Sequence, residues 1–440
     1  MADAKPFHWE FVPEPVAQEV FRIEGGRPLS GTVPISGSKN AALKMLAAAT
    51  LTGERCRFTN VPEIEDVRVM AETLRDLGVV VDHPEANVYE VASGDVEWLF
   101  VPLEAAAKMR ASFMLLGPLL SRFGRVIISN PGGDRIGRRP VDLHVDAMRT
   151  LGAEIEYKNG YYFAQAPGGL RGARVTFPYV TVMGTENAML AATLAKGTTV
   201  IENAAQEPEV DDLVAMLRAM GAQIERTAPH RLEIQGVDRL HGVGHTVLGD
   251  RLEAGTFAMA AAVTGGEVTV RGVDPGHLSA FTDLLTRMGI SLETFETDGG
   301  GLRVRGGDGI EAADLETQPY PGFPTDLQAP LAVLMTQANG TSTIHETIYE
   351  DRLDYTMELV KMGAVIEIID ERHASIAGPT PLHGREVEIA DLRAGATLIL
   401  AALAAAETSV ISGVEHVDRG YEAIESKLVA LGAQITRIDA

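Results

Sequence analysis

The chain has 440 residues, 45% of them hydrophobic and 22% charged, which excludes wholesale disorder and fibrous structure and is too long for one compact core. Asp and Glu outnumber Lys and Arg by 61 to 38, a formal charge of −23, so a general role on nucleic acid or anionic membrane is excluded. An anionic ligand therefore has to be met by a local cationic pocket.

Residues 1–20 carry Lys5, Glu10, Glu14 and Glu19 without an unbroken apolar stretch, so they read as an N-terminal extension and not as a signal peptide. The segment GGRPLSGTVPISG follows and reads as a strand able to cross back to the second half of the chain. From there one pattern recurs. A nearly all-apolar helix (NAALKMLAAATL, NAMLAATLA, GTFAMAAAVT, GATLILAALAAA) is buried on every side. A β-branched strand follows (TTVIENA, GEVTVRG, TSVISGV), then an amphipathic helix such as EVDDLVAMLRAM, with Val210, Leu213, Met216, Leu217 and Met220 at helical spacing. A glycine ends that helix in the left-handed conformation, and an alternating strand closes the unit.

The capping glycines are Gly78, Gly152, Gly221, Gly289, Gly363 and Gly432, so the period stays near 70 residues across six copies. Each unit is βαβαβ in type. A unit this short cannot bury its apolar helix alone, so the six must pack together, most simply as two groups of three. The seam between the groups falls near HTVLGDRLEAGT. Facing domains of this kind favour a ligand site between them. The longest apolar run, Ala396 to Ala406, is far short of the roughly twenty residues of a membrane span. Cys56 is the only cysteine, so no intrachain disulfide can form, and a soluble cytoplasmic protein is expected. No cysteine- or histidine-rich spacing occurs, so a metal site is not expected, and neither a phosphate-binding glycine loop nor a dinucleotide fingerprint is present.

Four polar clusters stand out. ISGSKN sets Ser38, Lys39 and Asn40 at the start of the first apolar helix, where free N–H groups and the helix dipole attract anions. The stretch from MRASF to GGDRIGRRPVDLH concentrates Arg110, Arg122, Arg125, Arg135, Arg138 and Arg139 around a glycine-rich loop with Asp134 near its tip. Arginine is the better fork for phosphate or carboxylate. PGFPTDLQ places Asp326 in the first turn of an apolar helix. YEDRLDY, ADLRAGAT and HVDRGYE add Arg352, Asp391, Arg393 and Arg419 at or just before apolar helices. Each cluster alone is equally a helix cap or a solvated ion pair. Together, Lys39, Arg110, Arg139, Arg352, Arg393 and Arg419 fall near equivalent ends of repeated units. They predict a cationic cleft, with Asp134, Asp326 and Asp391 as acid–base candidates.

The motifs GSKNAAL, RASFMLLGPLLSRFG, GGDRIGRRPVDLH, TENAMLAAT, FPTDLQAP, DLRAGATL and HVDRGYE, in this order, resemble the enolpyruvyl transferases, specifically the branch that uses UDP-N-acetylglucosamine. The resemblance runs from Phe21 to the C-terminus. It implies two inside-out α/β barrels of three units each, one from residues 21–38 with 249–440 and the other from 39–248, the latter bearing a mobile loop at 129–139. It implies transfer of the enolpyruvyl group of phosphoenolpyruvate to the 3′-hydroxyl of UDP-N-acetylglucosamine with release of phosphate, the first committed step of peptidoglycan synthesis, without metal or cofactor. By the same resemblance Lys39, Arg139 and Arg419 hold the phosphate, and Arg110, Arg352 and Arg393 complete the anion pocket. Asn40 and Asp326 bind the sugar, with Asp326 as base, Asp391 beside them and Ile348 on the sugar side. Arg139, Pro140, Val141, Asp142, Leu143 and His144 cradle the uridine with Thr181, Val182 and Glu207.

Two features depart from the common pattern of that branch. Asp134 replaces a cysteine at the loop tip, which predicts resistance to the epoxide fosfomycin. Tyr179 and Gln206 stand where basic residues are usual. The alternatives are a sister transferase with another nucleoside or sugar acceptor, and a non-catalytic UDP-sugar-binding paralogue. The RPVDLH run argues against shikimate phosphate as acceptor, and the retention of all six cations argues against the paralogue. Small-molecule substrates, with neither nucleic acid nor membrane as partner, are the expectation; the oligomeric state stays open.

Overall fold

A computed structural model describes residues 19–94, 96, 98–134, 136–307 and 309–439. The expected extension 1–20 lies outside the described residues except for Glu19 and Val20, as does Arg135. The described chain forms six four-stranded sheets, each with the same internal order. In one of them the strand Arg174–Thr181 leads into the buried helix Val182–Ala192 and the strand Thr198–Ala204, which pairs parallel to the first. The amphipathic helix Pro208–Ala219 follows, and then the antiparallel hairpin Gln223–Ala228 and Arg231–Gln235. The structure thus adds a return strand to the βαβαβ unit, and that strand lies inside the sheet, against Thr198–Ala204. Only Pro229 and His230 separate the two hairpin strands.

The units are completed by exchange along the chain. Ser30–Pro34 pairs parallel with Glu267–Arg271, and Glu19–Glu24 lies between Thr408–Ser412 and Gln434–Asp439. Gly244–Thr246 returns to pair parallel with Cys56–Thr59. All six recurring glycines hold positive φ, from 81° at Gly289 to 107° at Gly363, a region in which a Cβ would be strained.

Two buried clusters form. One holds core residues between Ala41 and Val247; the other holds Phe21 to Ile35 together with Leu252 to Ile435. Val210, Leu213, Met216, Leu217 and Met220 are all fully buried, as their spacing predicted. The all-apolar helices pack against one another inside each cluster. At Gly117 the approach is so close that an added Cβ would meet Asn187 Oδ1 at 2.4 Å, and the Gly117 N–H donates to that oxygen at 2.7 Å.

The starts of these inner helices carry the chemistry. Ser38, Thr181, Asp250 and Asp391 accept backbone N–H bonds as caps of Lys39–Ala48, Val182–Ala192, Arg251–Val263 and Leu392–Ala404. The remaining two, Leu116–Phe123 and Gln328–Thr336, are entered through the 3₁₀ turns Arg110–Leu115 and Thr325–Leu327. Asp326 therefore sits in a tighter turn just before its helix, not in the helix's own first turn.

Candidate active site

A cavity of about 830 Å³ lies where the inner helices start, with lining residues from both buried clusters. Lys39, Arg110, Arg139, Arg352, Arg393 and Arg419 all line it, together with Asn40, Asp134, Asp326 and Asp391. The helix starts add their own partial positive charge in a protein that is otherwise strongly acidic. Of the basic stretch around the glycine loop, Arg110, Arg138 and Arg139 face the cavity. Arg122 instead bonds the carbonyls of Thr50, Thr52 and Gly94.

One side of the cavity is a chain of ion pairs. Lys39 Nζ lies 2.8 Å from Asp66 Oδ2, and Arg419 grips the same carboxylate through Nε at 3.0 Å and Nη2 at 3.4 Å. Arg419 Nη1 also donates to Asp134 Oδ1 at 2.5 Å. Burial pushes the Asp134 carboxyl up, but Arg419, Lys39 and Arg139 outweigh it and hold the group below the usual range. The loop that carries Asp134 is tied down by Arg110, which donates to the carbonyls of Arg139 and Pro140. Burial, and then the neighbouring Arg139, pull the Arg110 guanidinium down to about 10. Gly137 passes so close to Glu350 that an added Cβ would meet its carboxylate at 2.5 Å.

Asp326 has a different setting. Arg352 donates to its Oδ1 at 2.8 Å and Arg393 to its Oδ2 at 3.1 Å, while 27% of the side chain stays exposed to the cavity. Arg393 is braced behind by Tyr421, whose hydroxyl accepts at 3.0 Å and bonds Thr256. Burial alone would raise the Asp326 carboxyl, but Arg393 and Arg352 hold it far below the usual range. Asp391 spends one oxygen as helix cap, accepting from the Arg393 and Ala394 N–H groups.

Pro140, Leu143, His144, Thr181, Val182, Glu207 and Ile348 also line the cavity. Val141 and Asp142 do not: Val141 turns into the core, and Asp142 is exposed at the start of Asp142–Thr150, where the helix dipole favours an acid. His144 is buried; burial, with a smaller push from Arg110, lowers its imidazole to about 3, so it is neutral. Its ring bonds the Asn187 amide at 3.1 Å. Tyr179 is 58% exposed at the cavity wall, whereas Gln206 lies outside the lining and bonds His230.

Sequence reasoning missed Asp66, the acid shared by Lys39 and Arg419. In sequence it is one of two acids in the first turn of Glu65–Asp76 and looks like dipole compensation. It also missed Asp250, whose Oδ2 accepts from the Lys39 N–H at 3.2 Å while its Oδ1 caps the Arg251–Val263 helix, so one carboxylate ties two helix starts together. Lys44 and the Glu209–Arg251 pair, at 3.0 Å, line the cavity without any motif to announce them. Cys56 is buried away from the cavity, and burial raises its thiol.

Six helix-in-sheet units around an arginine-lined cavity define a family, and the match is direct: the chain belongs to the EPSP synthase (3-phosphoshikimate 1-carboxyvinyltransferase) family, matched over residues 23–428. It is 47% identical over 419 residues to the UDP-N-acetylglucosamine 1-carboxyvinyltransferase of Cereibacter sphaeroides, covering 94% of this chain and 98% of that one. The protein of the same name from Caulobacter vibrioides is 46% identical over 424 residues, covering 94% and 97%. Among solved structures, the enolpyruvyl transferase NikO from Streptomyces tendae superposes with a TM-score of 0.86 at 26% identity, covering 97% of this chain and all of that one. EPSP synthase from Acinetobacter baumannii, at 19% identity and a TM-score of 0.73, shares the fold over 96% of this chain and all of that one.

Proposed function

We propose that the chain transfers the enolpyruvyl group of phosphoenolpyruvate to the 3′-hydroxyl of UDP-N-acetylglucosamine and releases phosphate, the first committed step of peptidoglycan synthesis, in the cytoplasm. The observation that carries this reading is one cation-lined cavity in which two carboxylates are anchored separately: Asp326 between Arg352 and Arg393, and Asp134 on Arg419.

The chemistry needs both. Replacing phosphate at a vinylic carbon proceeds by addition and then elimination. Asp326 accepts the proton of the acceptor hydroxyl as its oxygen bonds to C2 of phosphoenolpyruvate, and Asp134 supplies a proton to C3. In the second half the new methyl group returns a proton to Asp134 as the C–O bond to phosphate breaks, and the proton taken up by Asp326 is released with the phosphate. Lys39, Arg139 and Arg419 hold the phosphate, and Arg110, Arg352 and Arg393 complete the anion pocket. An anion that draws Arg393 or Arg352 away from Asp326 raises its proton affinity, so substrate binding itself makes the base competent. Asn40, Asp391 and Ile348 serve the sugar; Pro140 to His144, with Thr181, Val182 and Glu207, serve the uridine end, where Val141 and Asp142 act through the backbone or after closure.

The two three-unit domains, 21–38 with 249–440 and 39–248, close over the substrates through the loop 129–139. The test is phosphate release from phosphoenolpyruvate that depends on UDP-N-acetylglucosamine. No release, or equal release with shikimate 3-phosphate, overturns the reading. Proteolysis within 129–139 slows when both ligands are present if the loop closes on them, and proceeds unchanged if it does not.

A further inference from the structure

Lys44 and Glu186 form a buried pair that the roles above leave unused. Lys44 lies on the Lys39–Ala48 helix one turn beyond Asn40, and its Nζ reaches back to donate to the Asn40 carbonyl at 2.6 Å. It lines the cavity and is 4% exposed. Glu186 stands behind it on the Val182–Ala192 helix, fully buried. The two charges are 3.7 Å apart, beyond hydrogen-bond length, and neither Glu186 oxygen has a hydrogen-bond partner among the described residues.

A buried ion pair kept for structure alone closes to hydrogen-bond distance and satisfies its remaining lone pairs, because desolvating two charges is otherwise too costly. This pair does neither. Glu209 and Glu207, at the start of the Pro208–Ala219 helix, crowd Glu186 further, and Glu209 is already committed to Arg251. Lys44 is thus a cation in a carboxylate-rich wall of the cavity that, unlike Arg251, lies beyond hydrogen-bond length of its carboxylate. Lys39 and Arg419 are engaged instead with Asp66 and Asp134. Lys39 and Lys44, five residues apart on one helix, therefore have different acidic partners.

We infer that Lys44 is a binding residue for the nucleotide-sugar acceptor, donating to one of its hydroxyl or carbonyl oxygens, and that Glu186 positions it. This rests on the functional reading above and assigns a further residue to the same site. An ammonium has three donors, of which Asn40 takes one; an acceptor oxygen takes another, and Glu186, 3.7 Å away with its carboxyl pushed up to about 7 by burial, is too distant to compete for the contact. The i, i+4 link to Asn40 couples the contact to the turn that carries Lys39 and Asn40.

The experiment uses the full chain. Steady-state phosphate release is measured with each substrate varied in turn, for wild type, Lys44→Met, Lys44→Arg and Glu186→Gln, with UDP-N-acetylglucosamine binding followed by calorimetry. Lys44→Met, close in shape and volume, is expected to raise the KM and Kd for UDP-N-acetylglucosamine about tenfold or more. The KM for phosphoenolpyruvate and kcat should stay within about twofold. Lys44→Arg should recover part of the loss, and Glu186→Gln should raise the acceptor KM several-fold. Equal acceptor affinity in wild type and a folded Lys44→Met overturns the inference, as does an equal rise in both KM values. If Lys44→Met does not fold, the same reading is taken from Lys44→Arg and Glu186→Gln, and acceptor affinity unchanged in both overturns it. A wild type that fails to bind UDP-N-acetylglucosamine at all overturns the functional reading instead.

Discussion

Asp326 and Asp134 face the same cavity, and cations hold both below the ordinary carboxylate range, yet their anchors lie in different places. Arg352 and Arg393, which grip Asp326, come from the same stretch of repeats and the same buried cluster of units. Arg419, which grips Asp134, belongs to the opposite cluster from the loop it reaches. The first arrangement is rigid: a turn entering a buried helix, two arginines, and Tyr421 bracing one of them. The second spans the cavity and joins a glycine-flanked loop to a helix on the far side. The same side chain is thus clamped between two arginines of one cluster in one place and bridges the two clusters as an ionised latch in the other.

The comparison is broken most severely at Asp326. Asp326→Asn keeps the shape and removes the proton acceptor, so turnover should fall about a hundredfold or more, the cost of losing a general base. Its melting temperature should stay close to that of wild type. A variant that melts early and retains its specific activity would reduce Asp326 to a structural partner of the two arginines.

The next effect is at the latch. Arg419→Ala removes charge-assisted bonds to both Asp66 and Asp134. The contact proposed between Arg419 and the phosphate is lost as well; a charge-assisted bond contributes about 1.5–3 kcal/mol, so the KM for phosphoenolpyruvate should rise roughly tenfold to a hundredfold, with the acceptor KM little changed. Equal loss for both substrates would show that the latch acts on the whole cavity and not on the phosphate side.

Asp134→Cys sharpens the contrast through pH. The Asp134 carboxyl lies below the usual range, so it is ionised at neutral pH and gains its proton only as the pH falls. Activity limited by that proton should rise as the pH is lowered from 8 toward 6. A thiol ordinarily titrates near about 8.5, and although the same cations lower it, it holds its proton to higher pH than the carboxylate, so the variant's profile should lie at higher pH. The thiolate fraction of the variant is also a nucleophile for an epoxide, and a few minutes with fosfomycin should inactivate it while wild type survives. Rapid inactivation of wild type, or profiles that coincide, would remove the loop carboxylate from the chemistry.

The smallest effect concerns His144, which neither carboxylate touches. Its folded-state value, lowered to about 3, lies below the unfolded value of about 6.5. Between these values the unfolded chain binds the extra proton, so stability falls as the pH drops below about 6.5. His144→Asn should flatten that slope, read as a smaller change in urea midpoint between pH 7 and pH 5, at some loss of midpoint at pH 7. An unchanged slope would assign the acid sensitivity to other groups.

Much of the fold could be read in the chain because it is written six times. One glycine position, strained for any Cβ, recurs at a near-constant period, and every copy adopts positive φ. The hairpin return strand was missed, although Asn159–Gly160, between Glu154–Lys158 and Tyr161–Gln165, is a two-residue hairpin turn signal. Among the site residues, Lys39, Arg110, Arg139, Arg352, Arg393 and Arg419 could be picked out as a set because they repeat at equivalent ends of units whose helices must be buried. Asp66 and Asp250 could not, for an acid at a helix start is common for reasons of dipole and capping alone.

Sequence by itself therefore determined the repeat, the buried helices, the caps that end the units and the concentration of arginines at their ends. These follow from periodicity and from local backbone sterics, which act over a few residues. Tertiary structure decided which charges meet: that Lys39 and Arg419 share Asp66, that Asp326 lies between two arginines, and that Lys44 stands 3.7 Å from Glu186. Coulomb energy depends on distance and on the water excluded between the charges, and neither exists until chain segments far apart in sequence are packed together.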